Sequence, residues 1–135
     1  MRACHSAAVV SATFDEPNLV SCAGLVPVLR LAERAGLHAA AQRRVGLPAS
    51  AGSGAANAGA KITSIVAGMV AGADSIDDLG VIRHGALPGL FGGIRAPSTL
   101  GTFLRGFTWG NVRQLDAVAR ETLTGLSRNA PLWRY

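Results

Sequence analysis

Residues 96–126 read APSTLGTFLRGFTWGNVRQLDAVARETLTGL and predict two consecutive helices joined by a short, glycine-containing turn. The first helix carries apolar side chains at i, i+3, i+4 and i+7, the spacing of a helix that is buried along one side. These positions are Leu100, Phe103, Leu104 and Phe107. A proline and an N-capping hydroxyl of Ser98 or Thr99 precede the first apolar residue, and Gly106 is expected to end the helix.

The second helix is expected to begin after Thr108, which is a good capping residue. Its predicted buried stripe comprises Val112, Leu115, either Val118 or Ala119, and Leu126. Its solvent side carries Arg113, Arg120 and Arg128. Such a pair of helices is typical of a helix-turn-helix segment, and it is equally common in plain helical packing.

The same helical spacing recurs upstream of this pair. It predicts a helix that starts at Leu25 and ends before Gly36, a second from Leu37 to Val45, and a third from Ile62 to Val70 that stops at Gly72. A capping-box-like start at Ser75 follows, and the residues expected to face inward after it are Ile76, Leu79, Ile82, Leu87, Leu90 and Phe91. The predicted fold is all-α, a small helical bundle with a helix-turn-helix-like segment and room for one short N-terminal strand over Leu19–Cys22.

Composition divides the chain into five segments. Residues 1–12 are expected to be a disordered leader, and residues 13–45 an N-terminal strand and helix segment. The run GLPASAGSGAANAG, residues 46–59, has the small-residue composition of a flexible linker. Residues 60–130 are predicted to form the helical region that holds the candidate binding residues, and residues 131–135 a tail.

The chain has a net charge of +5, and almost all of its basic residues are arginines. Four of these net charges lie between Arg95 and Tyr135, where six arginines face only Asp116 and Glu121. Arginine suits phosphate because its planar guanidinium donates two hydrogen bonds at once. The asymmetry favours a nucleic-acid partner, and the alternative is an arginine-rich solvated surface.

Polar side chains on the first helix of residues 96–126 form the candidate contact surface. Ser98, Thr102 and Arg105 are spaced i, i+4 and i+7, opposite the apolar side, where small polar groups can approach base edges and phosphates. The full predicted DNA-binding set is Arg95, Ser98, Thr99, Thr102, Arg105 and Arg113, with Lys61 as an additional candidate.

No catalytic residues, cofactor or metal site are predicted. Asp74, Asp77 and Asp78 lie within five positions at a helix start, where carboxylates serve capping and the helix dipole. His38 and His84 have no ligand or nucleophile beside them in the sequence, and the two cysteines, Cys4 and Cys22, belong to no metal-binding motif and are interpreted as reduced thiols.

The sequence predicts a cytoplasmic protein without a membrane partner. The apolar part of the leader is shorter than a signal peptide needs. The longest apolar stretch, Ile62 to Ala73, is well below the roughly 20 residues that span a bilayer.

Three runs of the chain resemble the N-terminal portion of bacterial insertion-sequence transposases of the DDE class, in the group found in actinobacteria. They are TFDEPNLVSCAGLVPVLRLAERAGL, NAGAKITSIVAGMVAGADSIDDLGVIRHG and LFGGIRAPSTLGTFLRGFTWGNVRQLDAVARETLTGL, and the resemblance extends over roughly residues 13–131. It implies a helical front part that engages double-stranded transposon-end DNA and precedes a ribonuclease-H-like core. In such families the core holds the three metal-binding carboxylates.

The chain departs from this pattern because it ends at residues 132–135, about where the core is expected to begin. The resemblance therefore predicts a truncated transposase that binds DNA and does not catalyse transposition. Two alternatives stay open. The first is an interaction module that pairs with full-length transposase as a passive inhibitor, or with a second copy of itself, and the second is a partly folded relic.

Overall fold

A computed structural model describes residues 18, 20–48, 52 and 54–129, and every element in it is helical. Six α-helices are α1 (Leu25–Arg34), α2 (Leu37–Arg44), α3 (Ala58–Val70), α4 (Leu87–Leu90), α5 (Pro97–Arg105) and α6 (Trp109–Asn129). A 3₁₀ helix spans Asp77–Arg83 between α3 and α4. The predicted all-α class is confirmed. The leader, most of residues 13–19 and the tail lie outside the described residues.

The predicted N-terminal strand does not form in the described part of its range. Val20 has no regular structure, and Ser21–Gly24 make a turn that leads into α1. The backbone N–H of Leu25 donates to the carbonyl of Cys22 at 2.9 Å, which closes this turn. An isolated short strand has no partner for its backbone groups, whereas a turn satisfies them locally.

Glycine separates α1 from α2 as predicted. Gly36 has a φ of 85°, in the left-handed region that glycine adopts without steric cost, and its N–H donates to the carbonyl of Glu33 at 2.9 Å. The chain therefore turns sharply, and α2 starts at the next residue. We call this junction the α1–α2 corner, residues 34–37.

The core consists of two clusters of small aliphatic side chains and phenylalanines. The first joins α2, α3, α5 and α6 through Leu37, Ala40, Ala41, Val45, Ala58, Ile62, Phe103 and Val118. The second joins α1, α3, the 3₁₀ helix and α4 through Leu25, Ala67, Ile82, Leu87 and Phe91. Helix α3 contributes to both clusters, so it is the central element of the described structure.

Three glycines allow helices to approach closely enough for such small side chains to fill the core. A Cβ on Gly59 of α3 would lie 2.7 Å from the carbonyl oxygen of His38, and one on Gly125 of α6 would lie 2.8 Å from the carbonyl carbon of Ala35. A Cβ on Gly68 would meet the side chain of Leu79 on the 3₁₀ helix. Gly68 therefore serves helix packing, as its position on α3 indicates.

Six residues on the predicted apolar helix sides or inward-facing positions are exposed: Val28, Met69, Val70, Ile76, Leu90 and Val112. Ile76 precedes the first turn of the 3₁₀ helix, and the one-turn helix α4 buries its i and i+4 positions, Leu87 and Phe91. On α6 the buried stripe starts at Asn111, one residue before Val112, which rotates Val112 by about 100° away from the core.

Candidate nucleic-acid interface

Exposed polar side chains cover one side of α5. We define the α5 strip as Ser98, Thr99, Thr102 and Arg105, all of which are exposed. The helical spacing predicts this exposure for Ser98, Thr102 and Arg105. The Thr102 hydroxyl donates to the carbonyl of Ser98 at 2.9 Å, and a terminal nitrogen of Arg105 donates to the Thr102 hydroxyl at 3.1 Å. This chain of hydrogen bonds holds the Arg105 guanidinium along its own helix and leaves most of its donors open to a partner.

The start of α5 differs from the prediction. Pro97 is the first helical residue, Ala96 occupies the N-cap position, and no side chain caps the helix. Ser98 and Thr99 therefore lie inside the first turn. They line a small surface cavity of about 210 Å³ together with Thr102 and Gly54, so the segment before α3 closes one side of the strip.

Arg95 lies beside this region and is partly buried. Its backbone N–H donates to the hydroxyl of Ser64 at 3.1 Å, which ties the approach to α5 onto α3. Its Nε is buried without a hydrogen-bond partner among the described residues. Arg95 thus has a structural contact through its backbone, whereas its guanidinium is only partly accessible.

Lys61 does not lie on the surface, in contrast to its predicted role in DNA contact. Only 3% of the residue is exposed, its Nζ donates to the carbonyl of Gly54 at 2.7 Å, and it lies 5.2 Å from the centroid of the Phe103 ring. Burial lowers the pKa of its ammonium group, and the nearby positive charge of Arg95 lowers that pKa further. Lys61 anchors the Gly54 segment to α3, so its predicted role in DNA contact is wrong.

The junction between α5 and α6 contains an aromatic contact and a buried polar cap. Phe103 and Phe107 pack edge to face with their centroids 4.9 Å apart. Beyond it, the N–H of Thr108 donates to Asn111 Oδ1 at 2.9 Å, and Asn111 Nδ2 donates to the carbonyl of Gly46 at 2.8 Å. Helix α6 begins after Thr108, as predicted, but the Thr108 hydroxyl donates to Asn111 Oδ1 at 3.0 Å instead of accepting from a backbone N–H of the first turn.

Helices α5 and α6 pack mainly on different neighbours. Helix α5 packs on the 3₁₀ helix and α3, whereas α6 packs on α2 and α1. Arg113 is exposed on α6, so it lies on a helix that packs on different neighbours from the helix of the α5 strip. The helix-turn-helix interpretation stays a prediction.

A second basic surface was not predicted from the sequence. A groove of about 490 Å³ runs between the α1–α2 corner, α2 and the C-terminal half of α6. We call it the arginine groove, after the four arginines that line it: Arg34, Arg43, Arg120 and Arg128. The sequence predicted that Arg120 and Arg128 are exposed. It did not predict that Arg34 and Arg43 lie beside them, because these residues are more than 75 positions away in sequence.

One carboxylate lies in the arginine groove. Glu121 accepts a hydrogen bond from Arg43 at 3.0 Å and another from Nε of Arg44 at 2.7 Å. The hydrogen bonds from Arg44 and Arg43 lower the pKa of Glu121, and their charges act in the same direction. Glu121 therefore stays ionised and links α6 to α2.

Asp78, in the first turn of the 3₁₀ helix, has a structural role. The hydroxyl of Ser75 contacts a carboxylate oxygen of Asp78 at 2.6 Å and accepts from the Asp78 N–H at 3.3 Å, as predicted for Ser75. The N-cap residue of the 3₁₀ helix is Ile76, one residue later than the capping-box prediction. Across the described ranges, no group of three His, Cys, Asp or Glu residues is arranged to hold a metal ion. None of the helices in the described part of the chain is both long and apolar enough to cross a membrane.

The sequence matches no protein-family profile, no curated protein and no solved structure.

Proposed function

We propose that this chain binds double-stranded transposon-end DNA in the way expected of the N-terminal region of a DDE-class insertion-sequence transposase. The observation that carries the proposal is the α5 strip, in which Thr102 orients the exposed Arg105 guanidinium along a short polar helix surface. Small hydroxyl side chains beside it allow a close approach to base edges, and arginine binds phosphate or guanine with two hydrogen bonds.

Charge supports the same partner. The net charge of +5 favours association with a polyanion through release of counterions, and the excess arginines lie mainly in the C-terminal third of the sequence. The assignment to transposon ends rests on the resemblance of the three sequence runs. In this proposal arginines contact phosphates, and Ser98 or Thr102 lies nearer the base edges.

The test measures binding of the full chain to a fluorescently labelled duplex at several salt concentrations. The double variant Arg105→Ala/Arg113→Ala should bind more weakly, and the slope of log affinity against log salt should fall by about 1.8, since each lost phosphate contact removes about 0.9. The double variant Arg30→Ala/Arg83→Ala removes the same charge from exposed arginines outside the predicted set and is the control. Equal affinities and slopes for both variants would contradict the α5 assignment.

A second candidate function is a protein-interaction module that pairs with full-length transposase. It is favoured by apolar side chains on α6 that have no cover within the described structure, since Trp109 is 78% exposed and Leu123 is 63% exposed. Co-elution of the chain with the intact transposase in the absence of DNA, and its loss in Trp109→Gln/Leu123→Gln, would support this function.

A further inference from the structure

The arginine groove has a floor of backbone and small side chains. Gly125 of α6 faces the backbone of Ala35 with no side chain between them. Asn129 Nδ2 donates to the carbonyl of Gly125 at 2.8 Å and lies 3.4 Å from the carbonyl of Arg34. The two walls are therefore held together at their closest point, and the groove does not depend on a flexible loop.

Positive charge in this groove is not balanced within the described chain. Glu121 is its one carboxylate, and Arg43 and Arg44 already bind it. No carboxylate pairs with Arg34, Arg120 or Arg128 in the part of the chain that the structure describes. Like charges gathered along a groove with low-dielectric walls concentrate field lines and attract anions.

The spacing of the arginines fits an extended anion with repeating charges. Arg120 and Arg128 are eight residues apart on α6, which corresponds to about 12 Å along the helix axis. Along the duplex axis one strand rises roughly 3.4 Å per phosphate, so this span covers about three phosphates of one strand when α6 lies along that axis. A single small anion would reach only one of the two guanidinium groups.

An acidic polypeptide is another extended anion that could bind a groove lined by arginines. Protein partners derive most of their binding energy from a few aromatic or aliphatic side chains that fill apolar pockets. The small side chains in this groove are those of Ala35, Gly36, Ala39, Ala40 and Gly125, which provide no such pocket. A sugar-phosphate backbone needs none, because charge-assisted hydrogen bonds from arginine supply its affinity.

We infer that the arginine groove is a second nucleic-acid contact, which binds the phosphate backbone independently of base sequence. The inference rests on the proposed DNA-binding function and adds to it a surface on α1, α2 and α6, elements that are separate from α5. The α5 strip then supplies contacts to base edges, and the arginine groove supplies affinity.

The test uses the full chain and measures anisotropy of labelled duplexes of two unrelated sequences, between about 50 and 200 mM salt. Arg120→Gln and Arg128→Gln remove the charge from exposed positions while keeping a residue of similar helix propensity. Each should weaken binding to both duplexes about eightfold at 0.1 M salt and lower the salt slope by about 0.9. Arg83→Gln removes one exposed charge from the 3₁₀ helix, which packs mainly on α3, α4 and α5, and is the matched control.

Thermal unfolding followed by circular dichroism checks that each variant keeps its fold. If the groove variants bind as the control does while Arg105→Ala/Arg113→Ala binds weakly, the inference is overturned and the proposed function stands. If the groove variants lose affinity and the Arg105/Arg113 variant does not, the inference stands and the α5 assignment falls. Binding of polyglutamate as tightly as duplex DNA, with the same loss in the groove variants, would overturn the inference in favour of an acidic protein partner.

Discussion

Alanine at two helical glycines should change stability in opposite directions. Gly125 lies in α6 and faces the backbone of Ala35, where an added Cβ would lie 2.8 Å from the carbonyl carbon and 2.9 Å from the Cα. Gly101 lies in α5, where an added Cβ would meet only the Arg105 guanidinium at 3.4 Å and a methyl group of Ile76 at 3.6 Å. Helix propensity alone predicts that alanine stabilises both positions.

The two sites differ in what must move. The atom nearest to the added Cβ is the carbonyl oxygen of Ala35, which is closer than either carbon. Carbon atoms pack at about 3.5 Å or more, so alanine at position 125 requires α6 to withdraw by at least roughly 0.7 Å from a backbone that cannot rotate aside. Overpacking of this kind costs about 2–3 kcal/mol, and the gain in helix propensity offsets up to about 1 kcal/mol, which leaves a net loss of about 1–2 kcal/mol. At position 101 the contacts are ordinary, so the gain of about 0.5–1 kcal/mol remains.

Thermal unfolding of the two variants and of the unaltered chain measures the difference. For a chain of this size, Tm changes by about 3–5 °C for each kcal/mol. Gly125→Ala should therefore lower Tm by about 3–10 °C, and Gly101→Ala should raise it by about 2–5 °C. A rise in Tm for Gly125→Ala equal to that for Gly101→Ala would refute the close packing of α6 on the α1–α2 corner.

Asn111→Ala should destabilise the fold by about 1–3 kcal/mol because it removes buried hydrogen-bond partners, whereas the exposed Val112→Ala should change stability by less than about 0.5 kcal/mol. Urea unfolding measures both changes, and equal losses of stability would contradict the register of α6. The pKa of Lys61 is lowered in the folded state, so the fold binds fewer protons than the unfolded chain just below pH 10.5. In that alkaline range the free energy of unfolding of the unaltered chain should therefore rise with pH more steeply than that of Lys61→Met. The same pH dependence in both proteins would count against a buried ammonium group. Glu121 has a lowered pKa, so its stabilisation is present above pH 4.5 and is lost as pH falls through the folded pKa. Glu121→Gln should be less stable than the unaltered chain at neutral pH and should lose less stability as the pH is lowered. The same loss of stability in acid for both proteins would argue against the pairing of Glu121 with the two arginines.

Local sequence signals were sufficient for most helices. The starts of α1 and α2, the left-handed glycine at position 36 and the start of α6 after Thr108 all depend on interactions within about four residues, which the sequence displays directly. The register of α6 could not be predicted in this way. Hydrophobicity favoured Val112, whereas the structure buries Asn111 at 3% exposure, because Gly46 and Gln114 satisfy its side-chain amide.

Among the candidate contact residues, too, the sequence predicted the position of some, and only the tertiary structure determined the position of others. The exposure of Ser98, Thr102 and Arg105 followed from their periodicity on one helix, because three positions at i, i+4 and i+7 share a face in any α-helix. The burial of Lys61 did not follow, since a lysine after a glycine-rich run resembles a surface residue until its carbonyl partner is known. Its partner, Gly54, lies in a segment that composition alone identifies as a linker.

By itself, the sequence determined that the protein is helical, arginine-rich and basic, because periodicity and charge are properties of neighbouring residues. Only the tertiary structure decided where that charge acts. It joined arginines from α1, α2 and α6 into the arginine groove, since a contact between residues more than 75 positions apart depends on which helices pack and how closely their glycines let them approach.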